Sequence, residues 1–375
     1  MSHNGRVFIA LAEMRRAPGR FALLVGAVAL LVLLLLFFQT VAGALTSGLT
    51  GAFEANRADV FVYSDRARLN PFASVVTADA ADAVAGVDGV QEATPVGVSV
   101  FTASTDVGDT DIAIVGGDPD GPASPQDVEE GRRPEAPDEA LFSGSSLDSA
   151  FAVGDTVQVG DRTLTVVGTS SDAALNVLPT FYVPLETFTE AVRARAGASI
   201  DVPVSWIGVT VEDGGDATAV ATAITEGVEG LEAVDRATAT DAIPGVGQIT
   251  RSFSILYLLL YIVVTIVTGV FFLILTVQKT EALVLLRAIG GSRGDVVKPV
   301  LLQAVAVVGL GSVLGVLATS GLLSVTRDVF GSTLSTGTTL TSVGAIVVLG
   351  LLASVGAVRR VLAIDPIDAT TGGVA

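Results

Sequence analysis

The sequence predicts an α-helical membrane protein with four transmembrane helices and a large α/β domain held outside the cytoplasm between helices 1 and 2. Three observations predict it: four long uncharged apolar runs, an acidic block confined between the first two runs, and basic residues gathered beside one set of run ends.

The uncharged runs are residues 21–53, 252–277, 299–326 and 329–358. Each exceeds the roughly 20 residues that a helix needs to cross about 30 Å of hydrocarbon. Lipid offers no partner to a backbone N–H or C=O, so such a run must be helical and bond its own groups. The spans are accordingly placed at 21–45, 252–277, 299–323 and 339–358. A cleaved signal peptide ending at Ala42-Gly43-Ala44 is the rival reading of the first run. Its apolar stretch is longer than the roughly 7–15 residues of a signal-peptide core, which favours a span.

Residues 46–250 carry 33 acidic and 9 basic side chains, a net charge of −24, whereas the rest of the chain is +6. Lys279 and Lys298 are the only lysines. An acidic, lysine-poor surface reads as an adaptation to concentrated salt, where screening removes self-repulsion, ahead of a face that binds cations or basic peptides. Arg6, Arg15, Arg16 and Arg20 precede the first span, Lys279, Arg287, Arg293 and Lys298 separate the second from the third, and Arg359 and Arg360 follow the fourth. The positive-inside rule places all these segments in the cytoplasm. The predicted order is a cytoplasmic amphipathic N-terminus at 1–20, the first span, an extracytoplasmic domain at 46–250 and the second span. A cytoplasmic segment at 278–298, the third span, an external loop at 324–338, the fourth span and a cytoplasmic tail at 359–375 follow.

Within 46–250, strand and helix patterns alternate. Residues 58–63, 96–103, 111–115, 181–184, 204–211 and 231–236 read as strands. Residues 77–85, with Thr77 as the N-cap, and 216–226 read as helices. A Pro-, Gly- and acid-rich loop fills 116–138, and 153–168 reads as a hairpin turning at Gly160-Asp161. Gly86-Val-Asp-Gly-Val after the first helix is echoed by Gly227-Val-Glu-Gly-Leu after the last. The echo predicts two βαβ-type halves in one sheet, with a β-rich insertion at about 139–190 between them.

Several chemistries are excluded. The chain has no cysteine, and its one histidine is His3, so neither a Cys–His nor a Ser–His–Asp system nor a histidine metal cluster can form. Ser143, Ser145 and Ser146 around Gly144 lack the G-x-S-x-G elbow. Asp118 and Asp120 with Gly121 lack the remaining calcium-loop ligands and read as a turn. Lys279-Thr280 is preceded by Gln278, so no phosphate-binding loop is formed. The span cores carry no ionisable residue, which argues against a proton relay or an ion-coupled carrier. No catalytic, cofactor or metal residue is assigned, and nothing points to nucleic acid.

The segment 278–298 is the most informative. Ala282, Leu285, Leu286 and Ile289 share one helical face, Gly290-Gly291 stops that helix, and Ser292 can cap a short helix over 293–298. Glu281, Arg287 and Arg293 are charged groups beside the glycine turn. In the third span, Gly311 and Gly315 form a G-x-x-x-G pattern that permits close helix approach.

The stretch E-x-L-x-L-L-R-A-I-G-x-S-R from Glu281 to Arg293 is similar to the signature of FtsX/MacB-type ABC transporter permeases. Met14-Arg-Arg-Ala-Pro-Gly-Arg20, Val153-Gly-Asp-Thr-Val, Thr165-Val-Val-Gly168 and Arg359-Arg360 with Ile364-Asp-Pro366 resemble other pieces of that family, and the likeness runs along the whole chain. It differs from MacB in having no fused nucleotide-binding domain. The resemblance implies a non-enzymatic membrane subunit that relays motion from a separate ABC ATPase, which binds ATP, to the external domain. It implies export or extraction of a lipoprotein, peptide, lipid or hydrophobic compound, or alternatively regulation of a cell-surface enzyme. It also implies a second permease copy, identical or paralogous, surrounding membrane lipid, and an extracytoplasmic protein partner. Glu281, Leu285, Arg287, Gly290, Gly291 and Arg293 are then the expected ATPase-coupling residues, and Gly311 and Gly315 the helix-packing residues.

Overall fold

The structure, a computed structural model, describes residues 18–105, 108–144, 151–197, 201–278, 293–325 and 335–362. The chain divides into two compact units, one of them Ala42–Arg251 and the other built on the long apolar helices outside that range.

The Ala42–Arg251 unit begins with the last turns of helix α1 (Pro18–Glu54) and continues through β1 (Val60–Ser64), α2 (Ala80–Ala85) and β2 (Val90–Thr105). Strands β3 (Gly108–Gly117), β4 (Glu130–Gly131), β5 (Glu139–Ser143), β6 (Thr156–Val159), β7 (Arg162–Thr169) and β8 (Thr180–Pro184) follow, then α3 (Leu185–Ala196). The unit closes with β9 (Trp206–Val211), α4 (Ala217–Gly227), β10 (Leu231–Asp235) and α5 (Arg236–Ala242). Strands β10, β1, β9 and β2 lie side by side in that order, each antiparallel to its neighbour. The strands of each βαβ half are therefore parallel to one another and separated by a strand of the other half, an interleaving that agrees with the repeated helix–Gly–strand signal.

Strand β1 is buried on both faces, because each face has its own cover. Val60 and Val62 face Val84, Val220 and Ile224 from α2 and α4. Phe61 and Tyr63 join a second core with Trp206, Val96 and the end of α1. Asp216 caps α4 by accepting from the Thr218 N–H. Helix α2 starts at Ala80 rather than at Thr77, and no side chain caps it. The Thr77 carbonyl instead accepts the Ala80 N–H in the preceding turn.

The insertion is a closed ring of strands. β2, β3, β8, β5, β7 and β6 pair in sequence, and β6 returns to β2 through Ala103↔Val159 and Ser104↔Gln158. Closure leaves this sheet no open edge in the ring. Phe101, Ile112, Ile114, Phe142, Leu164 and Phe181 fill its interior. The hairpin turn at Gly160-Asp161 is present between Val159 and Arg162. The ring begins earlier than the expected residue 139, at the Gly97↔Gly116 pair of β2 and β3. Strand β2 is 16 residues long, well beyond the usual 5–6, and its two halves serve different sheets. Val96 is buried in one core, whereas beyond the transfer Phe101 and Ala103, on the opposite face of the strand, are buried in another.

The remaining helices are α6 (Val246–Gln278), α7 (Arg293–Val325) and α8 (Thr336–Leu362). With α1 they make four helices long and apolar enough to cross a membrane. Phe21, Leu24, Val28, Val32 and Leu35 recur on one face of α1 and are buried against Val264 and Phe272 of α6, Val307 and Val308 of α7, and Ile346 of α8. Ile255, Leu258, Ile262, Ile266, Val270 and Ile274 lie exposed along α6, an apolar face suited to lipid. The Gln39 amide donates to the Ser342 hydroxyl over 2.9 Å, tying α1 to α8.

Candidate coupling site

Among the expected coupling residues, Glu281, Leu285, Arg287, Gly290 and Gly291 lie outside the described residues, as do Ala282, Leu286, Ile289 and Ser292. Arg293 is the first residue of α7, with its side chain outside the description. Gly311 and Gly315 are described, and both face α1. A Cβ at Gly311 would stand 2.7 Å from the Val28 side chain, and one at Gly315 would stand 2.6 Å from Val32. Real Cβ atoms do not approach so closely, so these two positions admit only glycine without a shift of the helices.

The structure adds a site that the sequence pattern did not reveal, at the C-terminal end of α1. A helix end leaves carbonyls without intrahelical partners, and burial makes each costly to leave open. Here each is met. Asn56, which is buried, donates from Nδ2 to the Ala52 carbonyl over 2.8 Å. The Ala55 carbonyl accepts the Gln126 N–H at 2.8 Å, and the Asn56 carbonyl accepts from Gln126 Nε2 at 3.2 Å. Arg236, at the start of α5, donates to the Ala58 carbonyl from Nε at 3.0 Å and to Glu54 from Nη1 at 3.4 Å. A guanidinium is well placed there, because the carbonyl end of a helix carries the negative pole of its dipole. The Pro122 carbonyl receives the N–H groups of Arg57 and Ala58.

The turns of α1 before this end are part of the domain's own core. Ala52 and Phe53 are buried there with Phe61 and Trp206, and the Phe53 ring lies 4.9 Å from that of Trp206. Leu49 packs against the same core. Helix α6 enters from the other end of the domain's sequence. Ile243 and Val246 are buried in this core, and Gly245 between them has φ +98°, which lets the chain turn sharply from α5 into α6. Both long helices that flank the domain in sequence are thus rooted in one apolar cluster.

The signals for this site were present but weak. Arg236 is one of nine bases in a strongly acidic domain, and Asn56 follows an apolar helix where a polar cap belongs. Neither reveals its partner, because Gln126 and Arg236 come from distant parts of the chain. Asp118 and Asp120 form a turn: the Asp120 N–H donates to Asp118 Oδ1, and the Gly121 N–H to the Asp118 carbonyl. Among the described residues no group of His, Cys, Asp and Glu is arranged to hold a metal.

Two family models agree with this organisation. Residues 21–226 match the family model of the MacB-like periplasmic core domain, and residues 254–366 match that of the FtsX-like permease C-terminal. An uncharacterized ABC transporter permease of Mycobacterium tuberculosis is 29% identical over 294 residues, 77% of each chain. A second, of Mycobacterium bovis, is 28% identical over 289 residues, 76% of this chain and 75% of that one. A putative hemin transport system permease protein of Staphylococcus haemolyticus is 25% identical over 148 residues, 39% of this chain and 41% of that one. Among solved structures, the periplasmic region of MacB from Actinobacillus actinomycetemcomitans aligns at 14% identity with a TM-score of 0.38, over 51% of this chain and 95% of that one. The extracellular domain of the transporter YknZ aligns at 20% identity with a TM-score of 0.35, over 48% of this chain and 100% of that one. With one family model covering more than half of its residues and a second covering the helices that follow, the chain belongs to the FtsX/MacB-type ABC transporter permeases.

Proposed function

We propose that this permease relays ATP-driven motion from a separate ABC ATPase to its large domain, and that the work exports or extracts a lipoprotein, peptide, lipid or hydrophobic compound outside the cytoplasm. The observation that carries the reading is the continuity of α1. Its 37 residues run unbroken from the apolar span into the core of the large domain, where Ala52 and Phe53 are buried. At 1.5 Å per residue that is about 55 Å of helix, well over the roughly 30 Å of bilayer hydrocarbon. A rod of this kind, its end held by Asn56, Gln126 and Arg236, moves the domain when it moves.

In this reading two permeases, identical or paralogous, pair in the membrane. The ATPase grips the 278–298 segment through Glu281, Leu285, Arg287, the Gly290-Gly291 turn and Arg293. Both termini and that segment are cytoplasmic, and ATP binds to the partner alone. Reversing charge with R287E or E281R is expected to abolish stimulation of the ATPase in the reconstituted complex while membrane insertion persists; unchanged stimulation would refute the assignment. A reporter fused at Gly121 should be outside and one fused after Gly291 inside.

A further inference from the structure

Residues 170–178, between β7 and β8, connect α1 to the ring of strands on both sides at once. Toward α1, the loop meets two glycines one helical turn apart. The Ala52 N–H donates to the Ala174 carbonyl at 3.1 Å, and the Val177 N–H donates to the Gly48 carbonyl at 2.7 Å. Gly48 and Ala52 are the carbonyl and amide that an α-helix pairs with each other, so the loop engages both members of one helical bond. A Cβ at Gly51 would stand 2.4 Å from the Asp172 carbonyl oxygen and 3.1 Å from the Ala174 nitrogen, and one at Gly48 would stand 3.2 Å from Val177 Cγ2. The glycines are what let a backbone lie this close to the helix.

Toward the ring, the loop is bonded to two strands. The Ala173 N–H donates to Ser143 Oγ on β5 at 3.1 Å, and the Tyr182 hydroxyl on β8 donates to the Ala173 carbonyl at 2.7 Å. Burial pushes the Tyr182 hydroxyl pKa far up, so it stays a donor. The Leu175 N–H donates to Thr180 Oγ1 at 2.9 Å. Ala173 and Leu175 are fully buried. Asp172, Asn176 and Val177 all adopt positive φ, between 55° and 61°, a region that a β-branched residue such as Val177 rarely occupies. The contacts on the two sides hold the backbone there.

We propose that the 170–178 loop is a second coupling element: a fixed clasp by which displacement of α1 is delivered directly to the ring of strands, and not only through the sheet at the helix end. Gly51, Tyr182 and Ser143 are then positioning residues for force transmission. The inference rests on the relay reading above, and it requires the clasp to stay closed through the cycle.

The chain has no native cysteine, so one pair can be introduced cleanly. A Cβ at Gly48 would lie 3.2 Å from Val177 Cγ2 and 3.7 Å from Val177 Cα, so side chains at the two positions meet directly. In the full permease–ATPase complex, G48C/V177C is expected to form its disulfide nearly completely, with and without ATP. ATPase stimulation by the permease should change by less than about twofold, since a fixed clasp tolerates being locked. G51V is expected to lower that stimulation at least tenfold. It should also raise hydrogen exchange at 48–52 and 172–178 together, while exchange over β1 and β9 stays unchanged. Y182F, which keeps the ring and removes only the bond to Ala173, serves if G51V is poorly folded, with a smaller loss in the same direction. The proposal is overturned if the disulfide fails to form, if the oxidised pair is inactive and reduction restores it, or if G51V and Y182F both stimulate like the parent. A parent chain that stimulates no ATPase would refute the relay reading instead, and disulfide yield and exchange would still judge the clasp.

Discussion

Helix α1 uses glycine contacts in two ways along its length. In its span segment, Val28 and Val32 enter notches at Gly311 and Gly315 of α7, and the contact is side chain against helix backbone. In its last turns, α1 supplies the glycines itself, Gly48 and Gly51, and what enters is a loop backbone with two main-chain hydrogen bonds. Between apolar helices in lipid there is little hydrophobic driving force, and close van der Waals contact through small residues does the work. Beside a polar loop, the same small residues expose helix donors and acceptors, and hydrogen bonds set the register. A small-xxx-small or glycine pattern therefore names a close approach without naming its chemistry.

The sharpest way to break this comparison is to fill the notches in the span. G311L/G315L is expected to destabilise the helical bundle by about 3 kcal/mol, as overpacking of a tight contact does. Unfolding of the purified chain in detergent measures it. G309L is the control: nothing stands within 4 Å of a Cβ there, and a change within about 0.5 kcal/mol is expected. Next in size is R236A, which opens the Ala58 and Glu54 carbonyls at the end of α1. Leaving buried acceptors unmet costs about 2 kcal/mol. Faster hydrogen exchange over residues 52–58, with the bundle unaffected, would show that the two packings are independent.

Salt separates the two regions more gently. The net −24 belongs to residues 46–250, so raising KCl toward 1 M, where the screening length falls to about 3 Å, should raise the unfolding midpoint of that domain and leave the bundle unmoved. Trp206 is the only tryptophan and is buried in that domain, so its fluorescence reports on it alone. A midpoint indifferent to salt would remove the reading of the acidity as a solvent adaptation. The smallest effect concerns Glu139, whose pKa is lowered to about 2, first by its hydrogen bond from Arg132 and then by the Glu135 and Ala136 N–H groups. Its contribution is present above the ordinary carboxylate range and is lost as pH falls toward 2. E139Q should therefore lower the midpoint slightly at pH 7 and converge on the parent in acid.

Much of the fold was legible. Charge and run length located four spans, because lipid leaves an apolar segment only one way to satisfy its backbone. The echo of Gly86-Val-Asp-Gly-Val in Gly227-Val-Glu-Gly-Leu pointed to paired halves, and the sheet interleaves them. The extent of the insertion was not legible, since β2 changes sheets near Gly97 within one uninterrupted strand. Thr77 looked like a helix cap on composition, but a turn intervenes before Ala80. Of the candidate site, Gly311 and Gly315 could be singled out as a spacing, while their partners on α1 could not.

By itself the sequence determined the membrane class, the segregation of acid into one domain, the paired βαβ halves and the family likeness carried by residues 281–293. These follow from composition and short-range pattern, which constrain solvent and local conformation. Only the tertiary structure decided that α1 ends inside the core of the large domain, held by Asn56, Gln126 and Arg236, and that residues 170–178 bind the helix to the ring. The contacts made by Gln126 and Arg236 join residues 70 to more than 170 positions apart. They are chosen by which buried carbonyls and amides need partners once the chain has packed, a requirement that local sequence pattern does not express.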